Sequence, residues 1–388
     1  MFHDRAGGPG LSEIPRGKVT IYDSTLREGE QMPGVRFTPE HKLEIAKMLI
    51  EAGVPQIEAG FAAVSAEECQ AIRSIASLKG GAEILSLSRA KKEDIDAAMS
   101  CDVDMVLIFI ATSDLHMKKK LRMTEDQVIE AISSSVQYAK DHGLKVGLST
   151  EDTTRSELPF LKRAYSAASD SGADRLGITD TLGCATPKMI SDLVRFIKGF
   201  SKRPVSVHLH NDFGLALANA LAAVDAGAGA VATTVCGFGE RAGNVPLEQF
   251  AMAMKHLYGR DLGIRTEMLT PIAEKVSACA KIQMSPIQPW VGAHAFAHES
   301  GIHVAAVLND PRTYEFLPPE TVGNKRNIVM GKHSGRSLMA AKLKEKNISA
   351  RKGELDEIFS RVKKLGEKNG KVSEEEFWTI VDSVLKTG

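Results

Sequence analysis

From about residue 18 to 258 the chain repeats one arrangement of apolar and polar positions. A short apolar, often β-branched run comes first, then a polar loop, then a stretch in which apolar residues recur at three- and four-residue spacing. The short runs predict strands and the longer ones amphipathic helices. Predicted strands fall at 19–23, 56–60, 83–88, 105–110, 145–149, 175–180, 205–208 and 230–235. Predicted helices include 38–52, 124–142, 158–171 and 187–198. Thr38-Pro39 and Thr186-Pro187 each set a capping threonine before a proline at the first helical position, and Thr124 opens a helix without the proline. Gly53, Gly143, Gly172 and Gly227 close helices ahead of the next strand.

Eight such alternations predict an α/β fold, a (β/α)8 TIM barrel over residues 18–261. Beyond it the alternation stops. A helix is expected at 266–280, an irregular stretch rich in Gly, His and Pro from 284 to 319, and three charged helical segments near 334–346, 350–369 and 373–386. Residues 262–388 therefore read as a small helical C-terminal subdomain, and residues 1–17 as a flexible arm.

The polar residues cluster after the strands and not before them. Arg27 and Glu28 follow the first strand, Ser149 and Glu151 the fifth, Asp180 and Thr181 the sixth, His208 and His210 the seventh, and Glu240 to Asn244 the eighth. The C-terminal ends of barrel strands form one mouth, so these residues converge there. His208 and His210 alternate along a strand and point the same way. With the Glu28 carboxylate they make an N/O ligand set, and Asn244 is a fourth ligand or a near neighbour. Such a set suits Zn2+, Mn2+ or Mg2+. Arg27 beside Glu28 places a fixed cation next to the metal. That pairing suits a 2-oxo acid, whose ketone a metal polarises while arginine stabilises the charge on its oxygen.

Other features change the picture less. The 388 residues carry 49 basic and 49 acidic side chains, so net charge gives no reason to expect a nucleic-acid partner. Five scattered cysteines with no CxxC read as reduced thiols of a cytoplasmic protein. The chain carries neither the apolar core of a signal peptide nor a run long enough to span a membrane. Gly237-Phe-Gly-Glu-Arg-Ala242 fits a loose dinucleotide fingerprint, but it follows the last strand and reads better as a tight turn presenting Glu240 and Asn244. Lys118-Lys-Lys120 reads as a solvated face or a phosphate contact. The 296–303 segment, with His298, Glu299 and His303, reads as a polar loop, and Tyr314 lies eleven residues beyond it.

Seven segments together resemble the α-isopropylmalate synthase/homocitrate synthase family of the DRE-TIM metallolyase superfamily. They are Asp23-Ser-Thr-Leu-Arg-Glu-Gly-Glu-Gln31, Ser149-Thr-Glu-Asp152, Asp180-Thr-Leu-Gly183, His208-Leu-His-Asn-Asp212, Gly237-Phe-Gly-Glu-Arg-Ala-Gly-Asn244, Phe296-Ala-His-Glu-Ser-Gly-Ile-His303 and Gly331-Lys-His-Ser-Gly335. The resemblance implies an acyltransferase that condenses acetyl-CoA with a 2-oxo acid and then hydrolyses the thioester. It implies Glu28, His208, His210 and Asn244 as metal ligands, and Arg27, Gln31, Ser149 and Thr181 as contacts of the oxo acid. It assigns the acid–base steps to Glu151, His303 and Tyr314, and the stabilisation of charge to Arg27. It also implies a homodimer in which the C-terminal subdomain completes the partner's site. Glu28, Leu182-Gly-Cys-Ala-Thr-Pro187 and Arg312-Thr-Tyr-Glu-Phe316 look most like archaeal homocitrate synthases, which use 2-oxoglutarate. The positions that bind the distal carboxylate in homocitrate synthases of lysine biosynthesis match Ser86 and Gly147, and neither carries charge. Isopropylmalate synthase with 2-oxoisovalerate, citramalate synthase with pyruvate, and a metal-dependent carbon–carbon lyase of the superfamily are the alternatives.

Overall fold

The computed structural model describes residues 17–386. They form two compact units that divide between Met284 and Ser285. The arm expected over 1–17 lies, Gly17 apart, outside the described residues.

In the first unit eight parallel strands close into a barrel in chain order: β1 (Thr20–Asp23), β2 (Gln56–Gly60), β3 (Glu83–Arg89), β4 (Met105–Ala111), β5 (Lys145–Glu151), β6 (Arg175–Asp180), β7 (Val205–Leu209) and β8 (Ala230–Thr233). Closure comes from β1 pairing with β8, Ile21 opposite Val231. Apart from β2, whose centre is Ile57-Glu58-Ala59, the strand cores are rich in β-branched residues or leucine, which suits a sheet buried on both faces. Helices follow each strand: α1 (Pro39–Glu51), α2 (Ala66–Ala76), α3 (Lys92–Ser100), α4 (Glu125–Asp141), α5 (Leu158–Asp170), α6 (Pro187–Lys198), α7 (Ala216–Asp225) and α8 (Leu247–His256). The caps act as expected. Thr38 and Thr124 accept the N–H three residues on in reciprocal capping boxes, and Thr186 accepts that of Met189.

The barrel interior mixes sizes. Tyr22, Leu85, Met105 and Leu107 pack with Ala230 and Ala232. Gly147 and Gly177 leave room that larger neighbours use: a Cβ on Gly147 would stand 2.8 Å from Leu107 Cδ2 and 3.7 Å from Arg175 Nε. The Arg175 guanidinium lies 4.7 Å from the centre of the Tyr22 ring and donates to Gln56 Oε1 at 2.7 Å.

Three local expectations need correction. The eighth strand ends at Thr233, not 235, because Val235–Gly237 is a 3-10 turn around Cys236 at φ 55°. The stretch 284–319 is not all irregular: it holds the helix Gly301–Asn309, whose burial rests on Val304 and Val307. Residues 262–284, which the sequence grouped with the C-terminal subdomain, belong to the first unit, where α9 (Leu269–Ala280) packs on α1.

The second unit is mainly helical, with α10 (Gly301–Asn309), α11 (Arg336–Glu345), α12 (Lys352–Asn369) and α13 (Glu374–Leu385). Leu338, Leu343, Ile358, Val362, Phe377 and Val381 build its core. It also carries two small sheets absent from the sequence reading. Ala297–His298 pairs with Asn327–Ile328, and Met330–Gly331 with Lys371–Val372.

Candidate metal centre and active site

His208 is the penultimate residue of β7, and His210, just past the strand, forms an isolated bridge with Asn244. Strand alternation sets both imidazoles toward the barrel mouth, 5.2 Å apart between ring centres. The turn after β1 brings Glu28 to them, with its N–H on Ser24 O at 2.8 Å. Glu28 Oε2 lies 3.8 Å from His208 Nε2, and Oε1 lies 3.9 Å from His210 Nε2. All three residues are buried, and one ligand atom from each falls within 4.8 Å of the others. Asn244 Nδ2 donates to His208 Nε2 at 3.3 Å, which leaves its Oδ1 buried without a partner.

The protonation states suit a cation. Burial pulls the His208 pKa down to about 3 against the attraction of Glu28, so the ring is neutral near pH 7 with a lone pair to offer. Burial likewise lowers that of His210. For Glu28 burial opposes ionisation, but Arg27, the two histidines and the Glu240 N–H bring its pKa down to about 2. Two neutral imidazoles, a carboxylate and an unpartnered carboxamide oxygen thus share one buried site. A divalent cation with metal–ligand bonds of about 2.1 Å fits that donor set.

Arg27 stands beside this cluster. Its Nε and Nη2 form a fork on Glu58 Oε1 and Oε2 at 2.9 and 3.0 Å, and Nη1 donates to Glu28 and, at 3.2 Å, to Gln31 Oε1. Ser24 Oγ also donates to Glu58. Glu58, fully buried on β2, is a residue that the sequence reading missed. Its one signal was a carboxylate in the middle of a strand, between Ile57 and Ala59.

These groups line a cavity of about 380 Å3 that also includes Ser149, Glu151, Thr181 and Lys120, over a floor to which Leu87, Leu107 and Phe109 contribute. The cavity therefore collects Arg27, Gln31, Glu28, His208, His210, Ser149, Glu151 and Thr181, with Asn244 hydrogen-bonded to one of its histidines. Thr181 Oγ1 accepts the Asp152 N–H at 2.8 Å, which leaves its own proton to give. Lys118-Lys-Lys120 is exposed as a solvated face would be, but Lys120 also borders the cavity: its Nζ meets both oxygens of Glu151 at 2.6 and 2.8 Å. Ser86 faces away from the cavity, with its hydroxyl 3.3 Å from the Ala62 N–H, and Leu87 takes the lining position on β3. His303 and Tyr314 belong to the second unit. Their rings stack at 4.0 Å, both are exposed, and His303 lies on α10, not in a loop.

Residues 18–276 match the HMGL-like family model, and residues 290–370 match the homocitrate synthase post-HMGL domain-like model. The chain belongs to the HMGL-like family. It is 51% identical to homocitrate synthase AksA of Methanopyrus kandleri over 95% of this chain and 93% of that one. It is 46% identical to 2-isopropylmalate synthase of Methanocaldococcus jannaschii, over 95% of this chain and 72% of that one. A hydroxymethylglutaryl-CoA lyase from Bacillus subtilis superposes with a TM-score of 0.63 at 18% identity, over 69% of this chain and 95% of that one, a likeness of fold. The family and the fold expected from the sequence both stand.

Proposed function

We propose that the protein condenses acetyl-CoA with 2-oxoglutarate and hydrolyses the thioester, releasing homocitrate and CoA. The observation that carries this reading is the meeting of Glu28, His208 and His210 beside Arg27 in one cavity, in a chain half identical to homocitrate synthases. Glu28, His208, His210 and Asn244 would hold Zn2+, Mn2+ or Mg2+. Once bound, the ion supplies Lewis acidity toward the ketone.

The chain's own groups do the rest. Arg27, kept cationic by Glu58, faces the charge that develops on the ketone oxygen. Thr181, Ser149 and Gln31 orient the oxo acid, Thr181 through the proton it retains. Glu151, His303 and Tyr314 serve the transfer of protons from the acetyl methyl group and to the departing thiol. Following the family resemblance, His303 and Tyr314 act in the barrel of a second subunit of a cytoplasmic homodimer. Among the described residues no helix is long and apolar enough to cross a membrane.

One observation favours a second reading. The floor residues Leu87, Leu107 and Phe109 would suit the branched tail of 2-oxoisovalerate, the isopropylmalate synthase substrate. A thiol-release assay with acetyl-CoA and pyruvate, 2-oxoisovalerate, 2-oxoglutarate or longer oxo-diacids separates the two. We expect CoA release only with acetyl-CoA and an oxo acid together, greatest with 2-oxoglutarate, lost to a chelator and restored by a divalent metal. Release without an oxo acid, or none with any, overturns the proposal.

A further inference from the structure

We propose that Lys120 is the receptor for the distal carboxylate of an oxo-diacid, and that Glu151 occupies it when the site is empty. The inference rests on the reading above and names a subsite within it. An oxo-diacid brings two carboxylates into the cavity, and a buried carboxylate without a partner is costly. The lining supplies four carboxylates, Glu28, Glu58, Glu151 and Glu240, against two fixed cations, Arg27 and Lys120.

Arg27 is nearly used up. Of its five N–H donors, two go to Glu58, and Nη1 gives one to Glu28 and one to Gln31, so a single Nη2 proton remains. That suits the end of the substrate beside Glu28, not a second carboxylate farther off. Leu87, Leu107 and Phe109 have no polar side-chain atom to offer. Arg175, a further cation within the barrel, lines a separate cavity with Lys18, Glu83 and Lys145.

Lys120 has what the distal end needs. It sits on one turn of π-helix, Met117–Leu121, that ends on Arg122 in the left-handed region. Lys118 of the same turn pairs with Asp114 in solvent at 2.7 Å. Lys120, half-exposed, also lines the cavity and already holds a carboxylate, that of Glu151, with both oxygens in reach. Glu151 has somewhere else to go. His116 Nδ1 is buried, lacks a hydrogen-bond partner and lies only 3.6 Å from Glu151 Oε1. A small movement passes Glu151 from Lys120 to His116 and leaves the ammonium to the substrate. On the far side of His116, Asp152 Oδ2 lies 3.8 Å from Nε2.

The test compares full-length, metal-loaded wild type with Lys120→Met and Lys120→Arg. The substrates are 2-oxoglutarate and 5-methyl-2-oxohexanoate, in which an isopropyl group replaces the distal carboxylate. We expect Lys120→Met to lose about 10- to 100-fold in kcat/KM for 2-oxoglutarate, mostly as raised KM. The uncharged acid should change less than about threefold, and Lys120→Arg should restore most of the loss, because only the charged contact is at stake. Calorimetric binding of 2-oxoglutarate without acetyl-CoA should weaken in parallel. An equal fall in kcat with both acids would mean that Lys120 acts only through Glu151, and would overturn the proposal. So would a raised KM for acetyl-CoA alone, or a wild-type preference for the uncharged acid. If wild type releases no thiol with any acid, the proposed reaction fails, and the calorimetric comparison still decides on Lys120.

Discussion

A guanidinium under the lip of a barrel is stable only where carboxylates meet it, and Arg27 meets two. Removing one partner of a buried ion pair leaves an uncompensated charge, which costs more than the pair contributes. Glu58→Gln should therefore destabilise the protein by about 3–5 kcal/mol in urea unfolding and lower kcat, because Arg27 loses its fork. A variant that unfolds at the wild-type urea concentration would show that Glu28 and Gln31 suffice to hold Arg27. Asp23 offers a second test. Burial raises its pKa from 3.8 to about 6, against hydrogen bonds from Thr25 and Thr233. The folded chain thus holds this proton more tightly than the unfolded chain. The stability it contributes is complete below pH about 4 and is lost as the pH rises through about 6. Asp23→Asn should match wild type near pH 4 and exceed it by up to about 3 kcal/mol at pH 8. A difference that does not vary with pH would place the Asp23 proton elsewhere. Arg27, Glu28, His208 and His210 were legible in the sequence because two short motifs carry them in fixed order. Glu58 and Lys120 were not, since a lone carboxylate in a strand and one lysine of three look the same whether they face a cavity or solvent.

At the scale of elements, the loop after β8 decides whether the site closes. Gly243 has φ 81°, and a Cβ there would stand 1.9 Å from Gly237 O. Gly239 is as confined, with a Cβ position 2.1 Å from Asn244 Oδ1. Only glycine lets this loop fold back so that Asn244 reaches His208. Gly243→Ala should cost at least about 1–3 kcal/mol and lower the bound metal per subunit, read by thermal unfolding and elemental analysis. Full metal content would show that Asn244 is dispensable as a ligand. The eight strands were legible because each apolar run is short and bounded by helix caps. The end of β8 was not, because Val235 continues the apolar run while Cys236 turns the backbone away. Helix α10 was hidden for a different reason: its apolar residues, Ile302 and Val304 to Leu308, run almost without a break over a short segment, so no helical period shows.

For the whole molecule, the sharing of sites between subunits can be tested by complementation. Arg27→Ala removes the group proposed to act from the barrel, and His303→Ala one proposed to act in the barrel of the partner. Each variant alone should be nearly inactive with its metal content unchanged in His303→Ala. Mixed and allowed to exchange subunits, they should recover up to about a quarter of wild-type turnover, since half the dimers are mixed and each then has one intact site. No recovery after verified exchange would mean that each chain completes its own site.

Sequence alone determined the alternation of strand and helix, hence the barrel, and the order in which polar residues follow the strands. Those properties are local: periodicity, caps and short motifs need no distant partner. Tertiary structure decided what each polar group meets. It set Glu58 under Arg27, paired the half-exposed Lys120 with Glu151, and left Asn244 Oδ1 without a partner beside the histidines. The physical reason is closure. Joining β1 to β8 brings residues two hundred positions apart within hydrogen-bonding distance, and the burial that follows sets their charges.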